Sequence, residues 1–509
     1  MERLERVTER TRLPIWMLAA AMVGLHLLTA GRYGIFRDEL YYLACARHLA
    51  FGYVDQPPLI AWVTWFAAHV FGTSLVGLRL LPALAAGLLV WLAAEVAREL
   101  GGGRFAQILA GFAVIPVPIY LILNHWLTMN AFEPVLWTAL VWAAVRMIRR
   151  EEPRYWLVVG ALVGVGMENK YTMLLVAVAL VFGLLLTPER RLLRSRWIVA
   201  GVGLALLLFL PNLIWLWRHG FPFLEFERNS RMAGSRILRG PLAFLWDQAL
   251  LMNPVVAPLA LAGVGWLVVS RAARRWRALG WAGLFVVVVL MGLKSKNYYV
   301  APIYPLLFAA GAVWMERVTA GVRWVRPACV AAMGVSGLVL APLVMPVLSV
   351  PGFLAYQRAW HGFVPVRFEA LPEDLLPQQF SDEFGWEEMV RRTSVVFHAL
   401  PADEQARTAI FANNYGEAAA IDFFGPKYGL PQSVSGNESF WLWGPRGYTG
   451  STVIVLGSDG RGDREHFRTV EVVGHVGDER VRGMENFDLL LCRGLTTDLR
   501  VMWPETKKW

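Results

Sequence analysis

The residues able to do chemistry fall into a few short runs. Asp38 and Glu39 open a helical pattern. Acids in a helix's first turn complement its dipole and cap its free amides. An acid shielded from bulk water beside a bilayer also takes a raised pKa and can act as a base. Asp55 precedes Gln56, Pro57 and Pro58. The prolines fix a rigid turn, so Asp55 either caps the next helix or joins the acids as a functional group. Asn130 and Glu133 lie three apart on one helix face, and an acid one turn inside a membrane helix is by default functional. His125 is either a satisfied interfacial histidine or, with Asp55, half of a metal site, a weak signal without ligand spacing. Lys170, beside Glu168 and Asn169, either snorkels to lipid headgroups or neutralises a phosphate as a point charge. Lys294 and Lys296, with Tyr298 and Tyr299, add cations and aromatics at the same level, where tyrosines also suit an interfacial belt.

These groups need a scaffold, and the scaffold is lipid-facing. The chain has 509 residues, 56% hydrophobic and 13% aromatic with 23 Trp, and only 17% charged. An ordinary soluble protein carries roughly 25% charged residues. About eleven apolar stretches approach the ~20 residues that cross a bilayer. They run near Pro14–Ala30, Ser74–Val96, Ala106–Leu123, Ala131–Met147, Tyr155–Gly166, Tyr171–Thr187, Trp197–Trp217, Gln248–Val269, Leu279–Leu293, Val300–Met315 and Pro327–Leu348. The short Tyr155–Gly166 stretch runs into the Glu168–Lys170 turn, which is tolerated below the headgroups only where protein or a wet cavity covers it.

The connections alternate in charge. Basic clusters stand at Arg3–Arg12, Arg98–Arg104, Arg146–Arg154, Arg190–Arg196, Arg271–Arg277 and Arg317–Arg326. Between them lie the chemical runs and Arg218–Arg236. Lys/Arg-rich loops stay cytoplasmic, so the N-terminus is expected inside and the chemical runs outside. The net charge of +10 is spent mostly in those loops, against anionic headgroups rather than nucleic acid. Three scattered cysteines, Cys45, Cys329 and Cys492, make neither a disulfide framework nor a zinc knuckle. The N-terminus lacks a short apolar region with a small-residue cleavage site, so the first helix is expected to be retained.

The first outer loop, 31–73, is too long for a bare connection. Glu39–Leu49 reads as a short helix on the membrane surface and Leu59–Phe71 as a second interfacial helix. After about Val350 the composition becomes that of a soluble α/β domain, residues 350–509, with prolines from Pro372 to Pro431. Thr408–Ala412, Thr452–Leu456 and Phe487–Cys492 read as buried strands, Phe384–Leu400 and Glu417–Tyr428 as helices. The domain follows an odd number of spans and is therefore expected outside. The remainder, 1–349, is the membrane domain.

The run Arg37-Asp38-Glu39-Leu40-Tyr41-Tyr42-Leu43-Ala44, followed by Gly52-Tyr53-Val54-Asp55-Gln56-Pro57-Pro58-Leu59, resembles the first outer loop of glycosyltransferase family 39. That family includes protein O-mannosyltransferases and the aminoarabinose transferases of lipid A. Leu127–Glu133, Asn169–Thr172 and Lys296–Pro305 resemble later signatures of its bacterial members, so the likeness covers roughly Ile15–Pro305. The soluble end, notably Asn413–Ala418 and Ser435–Pro445, resembles tails of bacterial relatives and carries no assigned chemistry.

The resemblance implies the GT-C fold, here a polytopic α-helical membrane protein with a C-terminal soluble α/β domain, in a bacterial cytoplasmic membrane. It implies a polyprenyl-phosphate-linked sugar donor and a lipid, glycan or protein acceptor. By motif, Asp38 matches the acid that activates the acceptor hydroxyl, with Glu39 beside it, and Lys170 a lysine near the donor phosphate, with Lys296 and Arg37 as further cations. Asp55 matches an acidic position beside the active site, where Gln56 replaces the lysine of the aminoarabinose transferases. A second family acid falls at Asn130, and Glu133 is its substitute or its role is dispensable. The phosphate is already a good leaving group, so no cofactor is required and a divalent metal is optional. In-line displacement predicts inversion at the anomeric carbon. A transporter or flippase is the rival reading, expected to carry midplane ionisable groups on broken helices, often in repeated halves. A membrane scaffold with an outer binding module would need no acids at the bilayer surface.

Overall fold

The apolar stretches fold as helices throughout. The computed structural model describes residues 2–232, 237–322, 324–361, 363, 375–477 and 479–509, without the side chains of 2–11. Arg236, Arg323, Pro372 and the side chains of the first basic cluster up to residue 11 therefore lie outside the described residues.

Among the described residues seven helices are long and apolar enough to cross a membrane: Arg12–Ala30, Leu75–Glu99, Met129–Arg150, Arg196–Arg218, Arg271–Gly292, Asn297–Val318 and Val325–Val344. The pair Pro241–Met252 and Ala257–Val269, bent by 114°, makes an eighth when taken as one span. The remaining sequence spans become shorter helices: Arg104–Val114 with Pro118–Leu123, Trp156–Asn169 and Met173–Leu185. Pro116 and Pro118 explain the first of these breaks, because a proline ring removes a backbone donor and clashes with the preceding turn.

Chain contacts divide the molecule into two units. The first comprises Met1–Arg32, Thr73–Ile214 and Arg236–Glu369, the second Tyr33–Gly72, Trp215–Ser235 and Ala370–Trp509. The first long loop thus groups with the C-terminal residues.

In the first unit small residues let helices cross closely. A side chain at Gly263 would run into Leu307 O, and one at Gly311 into Leu259 O. Such reciprocal small contacts serve where lipid offers no hydrophobic drive between helices. The bend after Met252 is closed by Asn253, whose amide donates to Pro116 O (3.0 Å) and Ser336 Oγ (2.8 Å) while its oxygen accepts from Val255 N (3.0 Å). Backbone freed at a break is satisfied by protein, as the hydrocarbon demands.

Basic clusters meet at one end of this bundle. Glu99 receives Arg146 Nε at 2.9 Å and Arg149 at 3.0 Å. Arg275 donates to Ile148 O, and Glu316 caps the amides of Gly103 and Ala106. These four positive loops therefore share an end.

The second unit holds a four-stranded sheet ordered β1-β2-β4-β3, with β1 Thr408–Ala412, β2 Thr452–Leu456, β3 Phe467–Val476 and β4 Phe487–Leu495. β1 and β2 pair in parallel, the other pairs antiparallel. Parallel neighbours need a crossover, and the Tyr415–Phe424 helix lies in it, capped by Asn414, which accepts from Glu417 N at 3.0 Å. Ala409, Val453, Val455, Leu490 and Cys492 form the sheet's core with Trp503.

In the Arg37–Arg47 helix Glu39 through Ala46 are all buried, and the helix packs on Tyr415–Phe424. The charged residues Arg37, Asp38 and Arg47 stand at its two ends, and the buried Tyr41 hydroxyl between them is hydrogen-bonded.

Candidate active site

In the second unit, Asp38 and Glu39 divide two tasks. Glu39, 0% exposed, accepts from Phe36 N at 2.9 Å and so holds the start of its helix. Asp38, half-buried, receives the Tyr415 hydroxyl at 2.8 Å. Arg37 packs over the Tyr415 ring, 5.0 Å from its centroid, and its amide donates to Asp382 O at 3.1 Å. The structure thus brings Arg37, expected as a phosphate ligand, to the acid site.

Asp55 belongs to the same cluster. The Tyr41 hydroxyl lies 2.7 Å from Asp55 Oδ1 and 2.8 Å from Ser439 Oγ. Val54 N also donates to Ser439 Oγ at 3.2 Å. Burial pushes the Asp55 carboxyl up to about 7, the Tyr41 hydrogen bond opposing it and the negative charge of Asp38 adding to it. Burial first, then the charges of Asp55 and Asp38, push the Glu438 carboxyl well up, with Arg37 opposing. Three carboxyl groups, from a loop and a domain far apart in sequence, thus form one electrostatic cluster. Gln56 is buried and turned to Cys45 Sγ at 3.8 Å.

A stability profile follows. Asp55 keeps its proton over a pH range where the unfolded chain has lost it, so stability falls as pH rises from the ordinary 3.8 through about 7. Glu485, also pushed to about 7 by burial, acts in the same sense. The Tm of purified chain should therefore be higher at pH 5 than at pH 7.5, each group contributing at most ~1.4 kcal/mol per pH unit. Asp55→Asn should flatten part of that slope, and an unchanged slope in this variant would remove Asp55 as its source.

The first unit holds a second polar centre. Lys170, 6% exposed, donates to Asn130 Oδ1 and Glu133 Oε2, both at 2.8 Å. Its ammonium lies 4.1 Å from the Tyr299 ring centroid and 5.6 Å from that of Tyr298. Glu133 also takes the Thr172 hydroxyl. Lys170 is therefore no snorkelling lysine, and Asn130 and Glu133 stand as its acceptors. Glu133 thus forms an ion pair with Lys170. The Glu168–Lys170 turn is covered by protein, with Asn169 buried and donating to Met129 O at 3.0 Å. Lys296 is half-buried ahead of the Asn297–Ile303 turn.

His125 is buried with its Nε2 at 3.0 Å from Arg79, which also donates to Ala30 O at 2.9 Å. An arginine only donates, so Nε2 accepts and is not presented to a metal. No three His, Cys, Asp or Glu side chains converge as metal ligands among the described residues. Tyr415, Glu438, Ser439 and Arg79 are the polar groups that sequence reasoning missed. Only the quoted runs around Tyr415 and Glu438 marked their neighbourhood.

The helical bundle, with its small C-terminal sheet and the acid-bearing loop, defines a GT-C-type multi-pass membrane protein. ArnT from Cupriavidus metallidurans, in a crystal structure with undecaprenyl phosphate, superposes with a TM-score of 0.59 at 14% identity, over 93% of this chain and 97% of that one. A family model described as dolichyl-phosphate-mannose-protein mannosyltransferase matches residues 55–215. It is 26% identical to the lipid A galacturonosyltransferase RgtD of Rhizobium johnstonii over 52% of this chain and 56% of the relative. It is 25% identical to the lipopolysaccharide core galacturonosyltransferase RgtA of the same organism, over 64% of this chain and 69% of that relative. The chain thus spans little more than half of the first of these relatives.

Proposed function

We propose that this protein transfers a sugar from a polyprenyl-phosphate-linked donor to a hydroxyl of a lipid-anchored envelope glycan, at the outer face of a bacterial cytoplasmic membrane. The observation that carries the reading is Asp38, held by Tyr415 at 2.8 Å within a carboxylate cluster, beside Glu39, which accepts from Phe36 N. Asp38 takes the proton of the acceptor hydroxyl as its oxygen attacks the anomeric carbon. The bond to the donor phosphate breaks, and the phosphate leaves with its charge met by cations, for which Lys170 and Lys296 are assigned. Configuration inverts. The phosphate is a competent leaving group without a resident metal, so transfer should survive EDTA.

Support for the donor comes from the undecaprenyl phosphate bound in the ArnT crystal structure, and for the acceptor from the lipid A and lipopolysaccharide core substrates in the relatives' names. The transporter reading has one feature in its favour, the bent span, but the bend at Asn253-Pro254-Val255-Val256 carries no ionisable side chain. The experiment is transfer from radiolabelled undecaprenyl-phosphate sugar to lipid A by purified chain. Labelled lipid A is the expected product, whereas sugar-lipid movement across vesicles without transfer would favour a flippase. Sidedness follows from reporters, with a fusion after Leu348 expected outside and fusions after Arg196 or Arg277 inside.

A further inference from the structure

Glu438 is the acid that the mechanism above leaves without a task. It opens the Glu438–Trp443 helix with φ +47, a conformation uncommon and strained for a side-chain-bearing residue. It is 7% exposed, and its Oε2 is buried with no hydrogen-bond partner among the described residues. A buried carboxyl oxygen without a partner is costly and calls for an explanation.

The surroundings fix it firmly. Its predecessor Asn437 accepts from Tyr415 N at 2.9 Å and donates to Lys508 O at 2.7 Å. Glu438 N itself donates to Lys508 O at 3.3 Å, and Lys508 N to Gly436 O at 2.9 Å. A side chain at Gly436 would run into Thr506 O. Its successor Ser439 is bonded to Tyr41, which holds Asp55, just as Tyr415 holds Asp38. Glu438 is therefore suspended between the two residues that orient the other acids, and the chain bears backbone strain to keep it there. Burial and the neighbouring carboxylates favour its protonated form, which both donates to and accepts from a hydroxyl.

We propose that Glu438 is a substrate-contacting residue whose unpartnered carboxyl oxygen hydrogen-bonds a sugar hydroxyl beside Asp38 and Asp55. The inference rests on the glycosyl-transfer reading. The hydroxyl belongs either to the transferred sugar or to the acceptor glycan, and kinetics tell which.

The test uses full-length chain with undecaprenyl-phosphate galacturonate or undecaprenyl-phosphate mannose as donor and lipid A as acceptor, and measures direct binding of the same donors and of lipid A. Glu438→Ala should raise KM and weaken binding for one partner by about tenfold or more. Glu438→Gln, isosteric and still able to hydrogen-bond, should lose only a few-fold. A change in donor KM assigns the contact to the transferred sugar, a change in acceptor KM to the acceptor. Unaltered KM and binding for both partners in Glu438→Ala, alongside an inactive Asp38→Asn, would remove the Glu438 contact and leave the function standing. Normal transfer by Asp38→Asn would remove the functional reading. Should the wild-type chain neither transfer nor bind either sugar lipid, both fall. If Glu438→Ala misfolds by Tm, Glu438→Gln decides: equal loss of kcat with both KM values unchanged overturns the contact.

Discussion

Asp38→Asn should abolish sugar transfer, by roughly 10²–10⁴-fold or more, while the protein stays folded. The structural reason is a separation of duties. Glu39 already receives the Phe36 amide, so the helix start does not depend on Asp38. Asparagine keeps an oxygen for the Tyr415 hydroxyl, which now lies 2.8 Å from Asp38 Oδ1. What it lacks is a basic lone pair for the acceptor's proton. Turnover with labelled sugar lipid and a thermal melt, measured on one preparation, give the answer. Near-normal turnover would make Asp38 a structural acid.

The second large effect is expected at Lys170. Removing one partner of a buried pair leaves an uncompensated charge, and Lys170→Ala should cost ~3–5 kcal/mol of stability. Glu133 lies at 2.8 Å with its other oxygen on Thr172, so the damage falls on Glu133. Lys170→Ala combined with Glu133→Gln should recover most of that loss. If Lys170 also meets the donor phosphate, the double variant should remain defective, with a raised donor KM and an unchanged acceptor KM. A double variant with normal donor KM would confine Lys170 to a structural pair and move the phosphate to Lys296. Lys170→Arg should do better than Lys170→Ala, since charge is retained, yet the bulkier guanidinium must fit where the ammonium lies 4.1 Å from the Tyr299 ring centroid.

Local signals were legible where local physics decides. The apolar runs became helices, and Thr408–Ala412 and Thr452–Leu456 are strands at those bounds. β3, Phe467–Val476, carries no sequence signal because it is an edge strand with all but its last residue exposed or half-buried, so no apolar run marks it. Several stretches that looked like full spans are short or bent helices, because Pro116, Pro118 and Pro254 interrupt an apolar pattern that hydropathy reads straight through. The candidate site was half legible. Asp38, Asp55 and Lys170 stand in runs whose types and spacing already suggest chemistry. Tyr415 and Glu438 gain meaning only from neighbours some four hundred positions earlier, which no window of sequence can display.

That separation bears on how the protein comes into being. Asp38 and Tyr415 are 377 positions apart, and Tyr41 and Ser439 are 398 apart. At ribosomal rates of ~5–20 residues per second, roughly 20–75 s pass between synthesis of the acids and of the tyrosine and glutamate that complete them. During that interval the membrane spans insert while the acid centre lacks half its members. Closure of such non-local contacts is slow compared with helix formation. The carboxyl cluster is thus incomplete until the C-terminal residues fold.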